Sequence, residues 1–376
     1  MQTDQTASSA YRLPEELAVG GRFGEARYLL KRKLGRGEFT EVWLARDVRA
    51  EREVTLKFLR PDFLADAAVL ARLDQETRRS AQLAHPAIAR IYDFQCDYQS
   101  AAVVTEFVEG WSLATVKVDR PQKRFRIADI TLWVHQLCVA LDYAHHGFCL
   151  VHRSMKPSNI LLDRREQLKV TDFGIDDAIR AAAVNLGQPI SAGTIAYASP
   201  QQLQGADPSV LDDIYSLGAT IYDLLMGTPP FVKGDLSLQI LELTAPTMNE
   251  RLAELNINDA IPAAWEEVIA ACLAKDPGQR PHSASEIWRS LETATKAQQT
   301  IGLELQPRLQ RISELSIRVR NFFGQIASKV RSLMVAGART IRAQTRNLGS
   351  QVQKRLAALR KNQMLVLAAT VTLMLS

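Results

Sequence analysis

The stretch that decides the reading of this chain is His152-Arg153-Ser154-Met155-Lys156-Pro157-Ser158-Asn159, followed thirteen residues after Asn159 by Asp172-Phe173-Gly174. Upstream of it, from Tyr28, short strand-like runs (YLLKRKL, EVWLARDV and REVTLKFL) are separated by the turn-like Gly35-Arg36-Gly37 and by the polar Arg49-Ala50-Glu51. That pattern predicts an antiparallel meander. A helix is expected from about Asp66 to Leu83, then two further strands in ARIYDFQ and AAVVTEFV. Beyond Gly110 the period changes: Trp133, Leu137, Leu141 and Ala144 fall on one helical face. Ser283 and Glu286 have the spacing of a capping box opening a last helix. The expected fold is α+β: a β-rich lobe over residues 26–108, then a helical lobe over 109–293.

The chain has 376 residues, 47% of them hydrophobic and 23% charged, which excludes wholesale disorder and a bare coiled coil. Residues 1–25 are polar and aperiodic and read as a flexible extension without a signal peptide's basic start and apolar run, so a cytoplasmic body is expected. Cys96, Cys138, Cys149 and Cys272 form no CxxC pair and read as buried thiols in a reducing compartment. The net charge of +5 hides an asymmetry: residues 301–376 carry 13 Lys and Arg against Glu304 and Glu314, while the rest carries 33 basic against 39 acidic residues. Such a tail suits a polyanion. From Leu309 to Leu333 apolar or small positions recur in steps of three and four, a helical stripe with arginines between, weakened by Gly324, Gly337 and Gly349. After Lys361 the chain runs uncharged to Ser376, shorter than the roughly 20 residues that span a bilayer. Residues 294–362 are therefore read as a basic juxtamembrane helix, and 363–376 as a shallow anchor, the start of a membrane segment or a piece of core.

A GxG turn alone describes many hairpins. Together with the HRSMKPSN and DFG runs, however, the chain resembles the protein kinase family, in its serine/threonine branch and most like bacterial receptor-type kinases. His85-Pro86, Gly193-Thr194, Ser199-Pro200, Asp213 in DIYSLG, GTPPF and Arg280 in DPGQRP follow in family order, and the resemblance spans residues 28 to 291. It implies a bilobal kinase fold with ATP and magnesium in the cleft between lobes. Gly35 and Gly37 would let backbone approach the phosphates, and Lys57 would pair with them while Glu76 holds that lysine. Val42, Glu106, Val108 and Leu161 complete the implied nucleotide-binding set. Asn159 and Asp172 would ligate magnesium, and Lys156 would stand near the γ-phosphate.

The departures define the functional question. Ser154 replaces the catalytic-loop aspartate, and losing a positioned base typically slows transfer by about 10² to 10⁴. Asp176 or Asp177 is a conceivable substitute. Thr40 replaces the third glycine of the loop, Thr55 a small residue of the adenine roof, and Gln201 the glutamate that would pair with Arg280. Arg280 is accordingly expected to need another anion or solvent. Between Gly174 and Thr194 the only hydroxyl side chain is Ser191, so control by loop phosphorylation is not expected. The histidines, His145-His146 included, read as capping or surface groups rather than metal ligands. Three functions are compatible with this pattern: an ATP- and magnesium-binding pseudokinase acting as scaffold or allosteric partner, an active serine/threonine kinase, and a nucleotide-independent interaction module.

For the tail, Phe322 and Phe323 are the only aromatics, which disfavours nucleic acid. The arginine-rich segment before an apolar run favours an anionic membrane face. The full chain is expected to bind anionic vesicles with an affinity that falls as salt rises, and a chain ending at residue 300 is expected to lose that binding. Binding retained by the shortened chain in vesicle co-sedimentation contradicts the expectation.

Overall fold

The computed structural model describes residues 17–97, 99–293, 349–357 and 360. The chain divides into two units, Met1–Lys296 and Ala297–Ser376. In the second, residues 349–357 are helical and exposed. The expected stripe over 309–333 and the apolar terminus lie outside the described residues.

The first unit opens with strands β1 (Arg22–Phe23), β2 (Tyr28–Arg36), β3 (Thr40–Asp47) and β4 (Arg52–Leu59), then helix α1 (Ala67–Ser80), β5 (Ile91–Cys96) and β6 (Ala101–Glu106). They form one antiparallel sheet in the order β1-β2-β3-β4-β6-β5. The strand period of two puts Leu30, Trp43, Leu56 and Val104 on a buried face. The extension thus gives way to the sheet at residue 22, where Phe23 is buried edge-on against Phe58. Asp66 caps α1 by accepting from the amides of Ala68 (2.9 Å) and Val69 (3.3 Å), which fixes where the helix starts.

The second lobe follows with β7 (Gly110–Ser112), α2 (Leu113–Val118), α3 (Ile127–Phe148), β8 (Ile160–Asp163), β9 (Leu168–Val170) and α4 (Ile175–Asn185). Then come α5 (Ala192–Ile195), α6 (Pro200–Leu203), α7 (Val210–Met226), α8 (Leu236–Glu242), α9 (Met248–Glu254), α10 (Ala263–Cys272) and a helix over 284–293. The apolar face anticipated for α3 is buried, and it packs with α7, whose residues are buried from Asp212 to Met226. A helix buried on every side belongs in the centre of a lobe, and the carboxylates of Asp212, Asp213 and Asp223 on it are each hydrogen-bonded there. Gly227, at φ 80°, ends it in the left-handed conformation that suits glycine.

Three features differ from the sequence reading. The β7-β8-β9 sheet has strands of only three or four residues, too short to show an alternation. It explains Gly110, where a Cβ would stand 1.8 Å from the Leu162 carbonyl oxygen. The capping box is skewed: Ser283 Oγ accepts from the Glu286 amide (3.2 Å), but the Glu286 carboxylate reaches the amide of His282 (2.7 Å) rather than that of Ser283. Of the four free thiols, Cys138 and Cys272 are buried, whereas Cys96 and Cys149 are exposed. Among the described residues, no helix is long and apolar enough to cross a membrane.

Candidate active site between the lobes

A cleft of about 1610 Å³ separates the lobes, larger than the roughly 300–1,000 Å³ of a small-molecule pocket. Its upper wall is the β2–β3 hairpin carrying Gly35, Gly37 and Val42, with Thr55 and Lys57 on β4. Glu106 and Val108 line the connection between lobes, and Leu161 on β8 faces them from below. Ser154, Lys156, Asn159 and Asp172 line its floor. Every sequence-selected site residue except Glu76 is in this lining.

The hairpin tip is a tight turn in which the Gly37 amide donates to the Thr40 carbonyl at 2.8 Å. A Cβ on Gly37 would come within 2.5 Å of Thr40 Oγ1, so a side chain at 37 would force the Thr40 hydroxyl to turn away. Glu38 reaches across the cleft, accepting from the Ser191 amide and from Thr194 Oγ1 (2.6 Å). The hairpin is thereby latched to the segment after Gly174. Thr55 Oγ1 lies 3.5 Å from the Glu106 carbonyl oxygen, and the Glu106 carboxylate is engaged by Lys169 (2.8 Å) and the Arg90 amide (2.9 Å).

The floor is held by backbone in unusual conformations. Arg153 (φ 58°) and Asp172 (φ 71°) both sit in the left-handed region, which disfavours residues with a Cβ. Buried Asp213 stabilises the first of these turns, accepting from the amides of His152 and Arg153 and from His145 Nε2, each at 2.7 Å. His145 is therefore neither a cap nor a surface group. Phe173 is buried edge-on against the His152 ring at 4.6 Å, and its carbonyl accepts from Ser80 Oγ of α1 at 2.8 Å.

The expected Lys57–Glu76 pair is not made. Lys57 Nζ bonds Asp172 Oδ2 instead, and Glu76 turns to Arg79 at 3.3 Å. The cause is α4, which starts directly after Gly174 and buries Ile175, Ala178, Ile179 and Ala182 with Val69 and Leu73 of α1. Sequence reasoning missed this helix. Its signal was present in the spacing of Ile175, Ile179, Ala182 and Ala183 and in Asp176 and Asp177 on its first turn. Burial pushes the Lys57 ammonium down, but Asp172 and Asp176 more than reverse this and hold its pKa above the usual lysine value. Asp172 Oδ2 also accepts from Thr171 Oγ1 (2.9 Å), whereas its Oδ1 is buried and has no hydrogen-bond partner among the described residues.

Asp176 stands beside the altered loop position. Its Oδ2 accepts from Asn159 Nδ2 (2.9 Å) and lies 3.4 Å from Ser154 Oγ and 3.5 Å from Lys156 Nζ. Burial pushes this carboxyl up, yet Lys57, Lys156 and Asn159 overcome it and hold it well below the usual carboxylate range. Asp177 turns away to Arg153 (3.1 Å) and Arg180. Farther down the lobe, buried Arg280 meets no carboxylate within ion-pair distance among the described residues. It donates to Gln201 Oε1 (2.7 Å) and to the carbonyls of Ala274 (2.8 Å), Leu211 (2.9 Å) and Lys275 (3.1 Å), beside the Tyr215 ring. Carbonyl dipoles take the place of the expected anion.

A curled antiparallel lobe and a helical lobe, closed on a cleft with a facing lysine and aspartate, define the protein kinase class. The family profile described as "Protein kinase domain" matches residues 28–291, and the chain belongs to that family. Serine/threonine-protein kinase PrkC of Bacillus subtilis is 32% identical over 283 residues, covering 75% of this chain and 42% of that protein. Serine/threonine-protein kinase PknB of Mycobacterium tuberculosis is 31% identical over 304 residues, covering 79% of this chain and 47% of its own length. The chain thus spans less than half the length of these relatives. The crystal structure of the Mycobacterium tuberculosis PknI kinase domain superposes with a TM-score of 0.60 at 26% identity, covering 74% of this chain and 99% of that one.

Asp213 offers a test of how the floor is held. Burial pushes its carboxyl up, but His145, His152 and the amides it accepts from bring it below the usual range. A depressed carboxyl pKa stabilises the fold above the unfolded value near pH 4, and that stabilisation fades as pH falls through the folded value. Asp213→Asn is expected to lower stability by about 3–5 kcal/mol at neutral pH. In urea unfolding, the gap from wild type should narrow below about pH 4; a gap unchanged with pH contradicts the assignment.

Proposed function

We propose that the first unit binds ATP with magnesium in the cleft and transfers the γ-phosphate only weakly, acting chiefly as a scaffold or allosteric partner in signalling. The observation that carries this reading is the convergence of Lys57, from the upper wall, with Asn159 and Asp172 on the floor, where Asp172 Oδ1 is buried and has no hydrogen-bond partner among the described residues. A buried carboxylate oxygen without a donor fits a hard cation, and Asp172 with the side-chain carbonyl of Asn159 supplies the oxygen chemistry magnesium takes. When bound, magnesium neutralises charge on the phosphate oxygens. Lys57, now on Asp172, is the group placed to exchange that carboxylate for phosphate.

Weak transfer follows from Ser154, whose short neutral side chain neither orients nor deprotonates an incoming hydroxyl at neutral pH. The Glu38 latch and the displacement of Glu76 by α4 add to it, since Lys57 lacks its expected support. The basic tail would bring this body to an anionic membrane face. A second reading, an active serine/threonine kinase, is favoured by one observation: a carboxylate, Asp176, lies beside Ser154.

ATP with magnesium is expected to raise the melting temperature of the full chain progressively, by the equivalent of about 2.7 kcal/mol at a hundred times the dissociation constant. Asp172→Ala should remove most of the shift. No shift in a folded wild-type protein would favour the nucleotide-independent module instead.

A further inference from the structure

The catalytic loop lacks its aspartate, but the place beside it does not lack a carboxylate. Asp176 Oδ2 is within 2.9 Å of Asn159 Nδ2, 3.4 Å of Ser154 Oγ and 3.5 Å of Lys156 Nζ, so three groups of the loop converge on one oxygen from another segment. The side chain is 24% exposed, against 1% for Asp172, and so remains open to an incoming group. Its position is fixed from behind. Gly174 (φ 69°) makes the left-handed turn into α4, and burial of Ile175, Ala178 and Ile179 sets the phase that aims residue 176 at the loop. Asp177 is spoken for by Arg153 and Arg180.

We propose that Asp176 occupies the gap left by Ser154 and is the catalytic carboxylate of the weak phosphoryl transfer; this rests on the nucleotide reading above. The ionised carboxylate accepts the hydrogen of a protein serine or threonine hydroxyl and orients its oxygen. As the bond from that oxygen to the γ-phosphorus of ATP forms, the bond from phosphorus to the bridging oxygen breaks, and its electron pair leaves with ADP. The hydroxyl proton passes to Asp176 and then to water. Because the transition state is loose, what the carboxylate chiefly supplies is the orientation of the incoming hydroxyl. Ser154 and Asp176 are complementary: a small neutral residue in the loop leaves room for the carboxylate, and an aspartate at 154 would set two like charges on the same amide and lysine.

The test uses the full chain, radiolabelled ATP with magnesium and casein as acceptor, and in parallel the melting temperature without nucleotide. Slow magnesium-dependent transfer is expected from wild type. Asp176→Asn should lower kcat by about 10² or more with the KM for ATP nearly unchanged. Ser154→Asp alone should lower the nucleotide-free melting temperature, and adding Asp176→Asn should restore it and return transfer above that of Asp176→Asn alone. Transfer unaffected by Asp176→Asn overturns the proposal, as does wild-type transfer no higher than that of Asp172→Ala. It is also overturned if Ser154→Asp leaves the melting temperature unchanged, a readout independent of turnover. If the ATP-induced stabilisation of wild type is intact, such a result removes Asp176 alone; if that stabilisation is missing too, the nucleotide reading falls with it.

Discussion

The site depends on one ion pair across the cleft, Lys57 on β4 with Asp172 on the floor. Both side chains are largely withdrawn from water, and a buried charge stripped of its partner destabilises by about 3–5 kcal/mol. The pair therefore ties the sheet lobe to the helical lobe and fixes which charges the cleft presents. Asp176 joins the same cluster from α4, so two lysines face two aspartates, with Asn159 bridging Asp176 and the Ser154 carbonyl. Such an arrangement is charge-balanced without a ligand, and magnesium with a triphosphate adds cation to the carboxylates and anion to the ammonium groups.

On the reading proposed here, Lys57, Asn159 and Asp172 serve the nucleotide side of this cluster, and Ser154 alters the side that would meet an acceptor. Ser154 removes a carboxylate from the loop, while α4 delivers another from the opposite side. The same helix turns Glu76 away from Lys57, so the packing that places Asp176 also withdraws the expected support of the lysine. These effects oppose one another, and weak transfer is their expected sum. Elsewhere the departures are absorbed locally. Thr40 turns its hydroxyl into the space beside Gly37, and Gln201 suffices because backbone carbonyls complete the shell of Arg280.

The strands, α1 and the long helix α3 were legible in the sequence because each is long enough to show a period of two or nearly four. The cleft residues were legible because their types and order carry chemistry that little else in a sequence mimics. The short β7-β8-β9 sheet was not, since three residues show no alternation, nor was α4, hidden where the family resemblance leads one to expect an irregular segment. Asp176 could be named as a candidate from its position after Asp172-Phe173-Gly174. Choosing it over Asp177 required the phase of α4, which burial of Ile175 and Ile179 sets and sequence order alone does not. The role of Asp213 as acceptor for His145 and two loop amides joins residues sixty or more positions apart, beyond any local pattern.

The most direct test of this account is the magnesium dependence of ATP affinity, measured by calorimetry on the full chain. Asp172 and Asp176 repel a bare triphosphate, and a divalent cation turns that repulsion into attraction. The expected result is ATP binding at least about tenfold tighter with magnesium than with chelator, a difference of about 1.4 kcal/mol that Asp172→Ala abolishes. Equal affinity with and without magnesium, in wild type and variant alike, would contradict the account.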